Sequence, residues 1–325
     1  MEKSAEIKKI LVTGACGFIG EKICSGLLKR NYIVIGTDFK SSDYNASKTG
    51  YTFVKADHTD RGVFEQLFEK EKFDTVIHCA CTADNDLDSI ITDEDVKHSE
   101  AYDDFLYLLA VSFGVKQFIL LSTSQVYDLP KSREPIREND KIKIVSNYGK
   151  LKYEAERKLS SVVIKGSEMV VASLRVAPVY SSNYTVNLIN KILDPETNTL
   201  YVYRTGDYGF QFCCIHNLVE FVLCYVRLAV DMKFTGIFNV SDTDIVSVRE
   251  IIKFARNRNT YGPALQRNLS KDVLKAKINK ITNKTEQKTN YRFNDLDTFF
   301  NNNVLDGTRA KMVCTNFKWT IENTK

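Results

Sequence analysis

Lys9-Ile10-Leu11-Val12-Thr13-Gly14-Ala15-Cys16-Gly17-Phe18-Ile19-Gly20 decides how the rest of the chain is read. A short apolar run ends on three glycines at three-residue spacing. Residues 18–30 then show helical spacing at Phe18, Ile19, Ile23, Leu27 and Leu28. Strand, glycine turn and helix in that order form a dinucleotide-binding fingerprint. Gly14 permits the tight turn, Gly17 lets backbone N–H groups approach a pyrophosphate, and Gly20 lets the helix pack closely. The helix N-terminus offers unpaired N–H groups and the positive end of its dipole to the phosphates. A purely structural turn is the competing reading, and an acid further along tells against it.

That acid is Asp38, at the end of a second apolar run over 32–38. It lies about 20 residues beyond the turn, where a carboxylate can accept hydrogen bonds from the adenosine ribose. Its charge repels a 2′-phosphate, so NAD is expected rather than NADP, although Lys40 works against that repulsion. Further strands are predicted at 51–56, 73–80 and 117–121, with Asp57 following the first of them. Asp60 is placed to cap a helix over 63–70, and a polar stretch over 84–95 precedes a helix over 102–113. Alternating strands and helices of this length predict an α/β fold, a doubly wound parallel sheet with helices on both faces. Ligands then bind outside the carboxyl ends of the strands.

The 325 residues suffice for one large domain or two modest ones. Hydrophobic content of 43% and charged content of 26% are ordinary for a globular protein. A net charge of +4, from 45 basic and 41 acidic residues, gives no reason to expect a nucleic-acid or membrane partner. The eight cysteines form no CxxC pair and, with four scattered histidines, no metal-binding pattern, so reduced thiols and a cytoplasmic setting are expected. The opening residues are charged and run straight into the first strand, so no signal peptide is read there. The most apolar long run, 218–230, contains Glu220 and Arg227, which fits a buried helix better than a membrane span.

The fifth strand leads into Ser122-Thr123-Ser124-Gln125-Val126-Tyr127, and Asn147-Tyr148-Gly149-Lys150-Leu151-Lys152 opens a later helix. Tyr148 and Lys152 are four residues apart and share a helical face. A phenol is a poor base at neutral pH, but a nearby ammonium and an oxidised nicotinamide favour the phenolate. Thr123, at the edge of the sheet, can hydrogen-bond the same substrate oxygen. A Tyr-x-x-x-Lys pair alone is usually a surface pair; the dinucleotide fingerprint and the strand-end hydroxyl give it weight.

With these segments, and with His78-Cys79-Ala80 and Leu174-Arg175-Val176-Ala177-Pro178-Val179-Tyr180, the first 180 residues resemble the extended short-chain dehydrogenase/reductase family. Within it, they resemble the NAD-dependent epimerase/dehydratase group of nucleotide-sugar enzymes. The resemblance implies a Rossmann doubly wound sheet with a smaller C-terminal α/β substrate-binding domain. Residues 1–180 would form the NAD-binding domain, 210–241 would return to it, and 181–325 would mainly bind substrate. It implies Tyr148 as catalytic base, Lys152 as its partner and ribose ligand, and Thr123 as the third member. Gly14, Cys16, Gly17, Phe18 and Ile19 would hold the phosphates and Asp38 the ribose. Asp57 and His58 would lie at the adenine, and Cys79, Ala80 and Cys81 would line the cofactor channel. A homodimer, formed by two helices of each copy in a four-helix bundle, is also implied.

The departures bear on the reaction. Where sugar 4,6-dehydratases of this family have an Asp-Glu pair, this chain has Ser124 and Gln125, on the substrate side but unable to act as acid or base. Epimerisation or simple ketone/alcohol redox remains. Pro178 replaces an asparagine, and Ser181-Ser182 replaces a frequent Gly-Pro.

In the second half, a helix is read over 186–193, ended by Asp194-Pro195, and strands over 200–204 and 236–240. Residues 210–219 resemble the family segment that enters a helix, in the Phe-Gln-Phe variant without a phosphate-binding arginine, which makes Gln211 the substrate-side candidate. Arg249 or Arg267 could substitute for that arginine. His216 reads as a structural histidine. Ser247 and Glu250 form a capping box for a helix to about residue 258. Residues 257–303 are rich in Asn, Lys and Thr, as a surface insertion or mobile arm would be, and lack the interleaved aromatics of a nucleic-acid site. Residues 305–311 and 317–319 resemble the family's closing segment, so the chain is expected to be complete. The leading reading is an NAD-dependent sugar-nucleotide epimerase or oxidoreductase. A reductase of a non-nucleotide carbonyl compound and a catalytically idle NAD-binding module are the alternatives.

Overall fold

The computed structural model describes residues 8–40, 45, 47–81, 91–130, 134–144, 146–164, 167–194, 197–258, 261–272 and 303–324. Strands β1 (Lys9–Thr13), β2 (Ile33–Asp38), β3 (Tyr51–Lys55), β4 (Thr75–His78), β5 (Gln117–Thr123) and β6 (Val170–Val176) join one sheet with a strand from the second half, Gly236–Val240. That last strand is numbered β12 in chain order. The sheet runs β12-β6-β5-β4-β1-β2-β3 with every pairing parallel.

Both faces of this sheet are covered, which explains why β5 and β6 are buried along their whole length. Successive side chains point to opposite faces. Ile10 and Val12 join a core with α1 (Phe18–Leu28) and a helix of the second half, Ile215–Met232, numbered α6. Leu11 and Ile35 face the other way, toward α2 (Arg61–Glu71), α3 (Asp93–Ser112) and α4 (Asn147–Ile164).

The remaining elements follow β6 in the chain, and the last of them, Thr308–Val313, packs on α6 and β12. They are β7 (Val179–Tyr180), α5 (Val186–Ile189), β8 (Leu193–Asp194), β9 (Thr199–Tyr203), β10 (Gly209–Gln211), β11 (Cys213–Cys214), β13 (Ile245–Ser247), α7 (Val248–Arg256), β14 (Leu265–Arg267) and α8 (Thr308–Val313). A separate core of Tyr180, Leu188, Phe210, Phe212, Val248 and Ile251 unites much of this region.

Three local expectations are corrected. The helix expected over 186–193 stops at Ile189, because Leu193 and Asp194 pair antiparallel with Leu200 and Thr199. The helix expected from 102 begins at Asp93. Thr92 and Asp95 form a capping box, and the acids of the polar stretch suit the positive helix end. Asp60 stands at the N-cap of α2, but its carboxylate accepts from the Asp57 N–H at 2.8 Å and makes no cap bond. Ser247 and Glu250 do form their capping box. Residues 84–90 of the polar stretch, and 259–260 and 273–302 of the Asn/Lys-rich segment, lie outside the described residues. Among the described residues no helix is long and apolar enough to cross a membrane.

Candidate active site

The chain leaves β1 toward β2 on one side and later places β4 on the other, so a crevice opens at the carboxyl ends of β1 and β4. A cleft of about 500 Å³ occupies this position. Gly14 has φ +70°, and a Cβ there would come 2.7 Å from the Ala80 nitrogen; a Cβ on Gly20 would collide with the Gly14 carbonyl. Both positions therefore require glycine, and the backbone between them is drawn against the end of β4. Gly14, Gly17, Phe18 and Ile19 line the cleft.

The floor at the end of β4 is braced by a buried polar chain. The Thr13 hydroxyl meets His78 Nδ1 at 2.6 Å, and His78 Nε2 meets Asp103 at 2.9 Å. An imidazole that donates to Asp103 accepts from Thr13, which in turn accepts from the Ala80 N–H at 3.4 Å. The network fixes Cys79, Ala80 and Cys81 along the cleft. Burial pushes the Cys79 thiol up to about 12, despite the opposing pull of the Lys152 ammonium, so it is held as a neutral wall group.

Asp38 is 8% exposed and lies in the cleft wall. Its oxygens accept from the Cys16 N–H at 2.9 Å and the Lys40 N–H at 3.0 Å, and each retains a lone pair for a ribose hydroxyl. Cys16 contributes through this backbone bond and is not among the lining residues. Asp57 and His58 line the cleft and pair with each other at 2.8 Å. Asp95, Ser99 and Tyr102 of α3 also line the cleft, and sequence reading missed them. The available signal was a polar Ser99 and Asp103 on the inward face of a helix, both buried.

At the other end stand Thr123, Gln125, Tyr148 and Lys152. Thr123 ends β5, and its hydroxyl accepts from the Gln125 N–H at 3.2 Å, leaving its own proton to donate. Ser146 starts α4 by accepting from the Gly149 N–H at 3.0 Å. The Asn147 amide ties that end to the Ile91 carbonyl at 2.6 Å. Tyr148 and Lys152 follow one turn apart, with Lys152 only 4% exposed. Burial pushes the Tyr148 phenol above its ordinary value, with the nearby Cys81 and Tyr184 adding to the effect.

One turn beyond Lys152, Glu156 accepts from Ser122 and from Arg175, whose Nη2 lies 2.7 Å away. Arg175 also donates to the Glu138 carbonyl at 3.0 Å and stacks over Tyr127. This buried pair locks α4, which carries Tyr148 and Lys152, to β5 and β6.

The far wall holds Pro178, Val179, Tyr184 and Asn187. The Asn187 amide donates to the Val179 carbonyl at 2.7 Å, while its buried Oδ1 has no partner among the described residues. Sequence reading also missed Tyr184 and Asn187. Gln211 is not brought to the cleft. Its Nε2 donates to the Asp242 carbonyl at 2.9 Å and its Oε1 accepts from the Leu305 N–H at 2.6 Å. Ser124 sits in the turn beneath the cleft and does not line it. Arg249 pairs with Asp207 at 2.6 Å and Arg267 with Asp194, both away from the cleft. His216 packs on Trp319 at 4.8 Å, a structural place.

The residues present fit a dinucleotide. Gly14 and Gly20 of the turn admit no side chain, Asp38 keeps ribose acceptors, and the buried Thr37 hydroxyl in the wall has no partner among the described residues. Residues 10–241 match the model of a family described as NAD dependent epimerase/dehydratase. A UDP-glucose 4-epimerase of Bacillus subtilis is 30% identical over 175 residues, 51% of this chain and 51% of that protein. A dTDP-D-glucose 4,6-dehydratase of Mus musculus is 30% identical over 130 residues, 37% of this chain and 36% of that protein. The chain thus spans about half, or less, of the length of these curated relatives. Among solved structures, UDP-glucuronic acid 4-epimerase from Bacillus cereus, in complex with UDP-glucuronic acid and NAD, superposes with a TM-score of 0.71 at 20% identity, covering 97% of this chain and 96% of that one. The Bordetella bronchiseptica enzyme WbmH in complex with NAD+ gives 0.71 at 20% identity, over 98% and 96%. At that identity the likeness speaks to the fold.

Proposed function

The chain belongs to the NAD-dependent epimerase/dehydratase family, and on that premise we propose that it uses NAD to epimerise, or to oxidise and reduce, an alcohol carbon of a nucleotide sugar. The observation that carries this reading is one cleft running from the glycine turn to Thr123, Tyr148 and Lys152. When bound, NAD supplies a hydride acceptor and, once reduced, a donor. Tyr148, as the phenolate that the Lys152 ammonium favours, takes the proton of the substrate hydroxyl, and Lys152 also holds a ribose hydroxyl. Thr123 donates its free proton to the same substrate oxygen. Asp38 selects an unphosphorylated ribose, and Asp57 and His58 flank the adenine. Ser124 and Gln125 offer no ionisable group for elimination, which supports epimerisation or redox over dehydration. Asn187, rather than Gln211, presents an open acceptor to the substrate. The region beyond residue 181, outside the segments that return to the main sheet, forms the substrate side.

Tyr148→Phe tests the assignment. Turnover should fall by about 10²-fold or more, while NAD affinity stays near that of the unaltered chain. Full activity in that variant refutes Tyr148 as the base. A reductase of a non-nucleotide carbonyl is the second reading, favoured by the placement of Arg249 and Arg267 away from the cleft. Assaying nucleotide sugars beside simple aldehydes and ketones separates the two. We place the protein in the cytoplasm, since all eight cysteines are free thiols. We assign it a homodimer through α3 and α4, because α3 exposes Leu108 and Val111.

A further inference from the structure

The Ser181-Ser182 departure builds a turn with a specific product. The Ser181 N–H donates to the Tyr184 carbonyl at 2.9 Å. Its hydroxyl accepts from the N–H groups of Asn183 at 3.2 Å and Tyr184 at 3.0 Å. Ser181 is buried, so these bonds are shielded from water. The turn presents the Tyr184 ring to Phe18, and the two stack with centroids 4.2 Å apart and planes 18° from parallel.

Both rings line the cleft. Phe18 is the first residue of α1, directly after Gly17. Tyr184 comes from the segment beyond β7 and lies within electrostatic reach of the Tyr148 phenol. The stack therefore ties the helix that follows the glycine turn to the segment beyond β7, at the cleft.

We propose that the Tyr184–Phe18 stack is a clasp over the bound dinucleotide, so that NAD seated on the glycine turn leaves only when the two rings part. The clasp rests on the NAD assignment above. It keeps the cofactor in place from one half of the reaction to the next, as a reaction that returns hydride to the same substrate molecule requires.

The test is the release rate of a fluorescent etheno-NAD from the loaded protein, chased with excess NAD. Tyr184→Ala should speed release by about 2- to 10-fold, the range an aromatic pair supplies. Tyr184→Phe, which keeps the ring, should release at the rate of the unaltered chain. Phe18→Ala should match Tyr184→Ala, and the double variant should be no faster than either. Tyr184→Leu, which keeps bulk without a planar ring, repeats the measurement should the alanine variant not fold. Unchanged release in a folded Tyr184→Ala or Tyr184→Leu protein, or additive effects in the double variant, overturns the clasp alone. An unaltered chain that binds no NAD overturns the cofactor assignment and the clasp with it.

Discussion

A phenol proposed to give up its proton gains nothing from burial. Around Tyr148 the surroundings push its pKa upward, and the groups that add to the shift, Cys81 and Tyr184, are themselves acids. The counterweight we propose is Lys152, itself buried and one turn away. Removing its ammonium takes away an interaction that favours the phenolate, so the apparent pKa of the base rises. Lys152→Met should therefore move the rising limb of the rate–pH profile toward alkaline pH and cut kcat/KM at neutral pH by about 10²-fold. A profile that keeps its midpoint shows that Tyr148 is not the group being titrated. Thr123 acts differently: with one lone pair taken by the Gln125 N–H, its contribution is a positioned proton, and no pH limb should move in Thr123→Val.

Between elements, two buried carboxyls hold the site by opposite means. Glu156 pairs with the Arg175 guanidinium, with side-chain exposures of 2% and 3%. Glu156→Gln leaves that guanidinium without its partner and should cost about 3–5 kcal/mol of stability, read from urea unfolding. Asp242 joins the end of β12 to the start of α6 by accepting from the Cys214 N–H at 2.8 Å and the Asn217 amide at 2.7 Å. Burial lifts its pKa from 3.8 to about 6, against the pull of these donors. A raised carboxyl pKa favours the protonated form in the fold. Its contribution to stability is complete below pH 4 and is lost as pH rises through 6, by about 3 kcal/mol in all. Asp242→Asn should flatten that part of the stability–pH curve and stabilise the fold at pH 7; an unchanged slope refutes the assignment. At this scale strands β1 to β5, β9 and β12, the glycine turn and the Tyr148 helix were legible in the sequence, because each is fixed by local period, glycine spacing or capping chemistry. Gln211 was not, since its side chain is aimed by the pairing of β10 with β13 and by the distant Leu305. Nor was the end of α5, where apolar residues suit a helix and a strand equally and the hairpin of β8 with β9 decides. Tyr184 was hidden because its partner lies at the opposite end of the Rossmann region.

For the molecule as a whole, α3 has two faces with different duties. Tyr102, Leu106 and Leu109 are buried toward the sheet, and Tyr102 reaches the cleft. On the outer side Leu108 is 64% exposed and Val111 38%. Large apolar side chains repeating along one turn of a helix suit burial against another chain better than solvent. If α3 and α4 of two copies close over this face, the unaltered protein should scatter light at twice the 37.1 kDa chain mass at micromolar concentration. Leu108→Glu puts a charge at the centre of that contact and should shift the population to the single-chain mass. Its side chain points away from the cleft, so NAD binding should persist in the monomer. An unaltered chain that remains monomeric at that concentration ends the pairing proposal, and a Leu108→Glu protein that stays dimeric moves the interface off this face of α3.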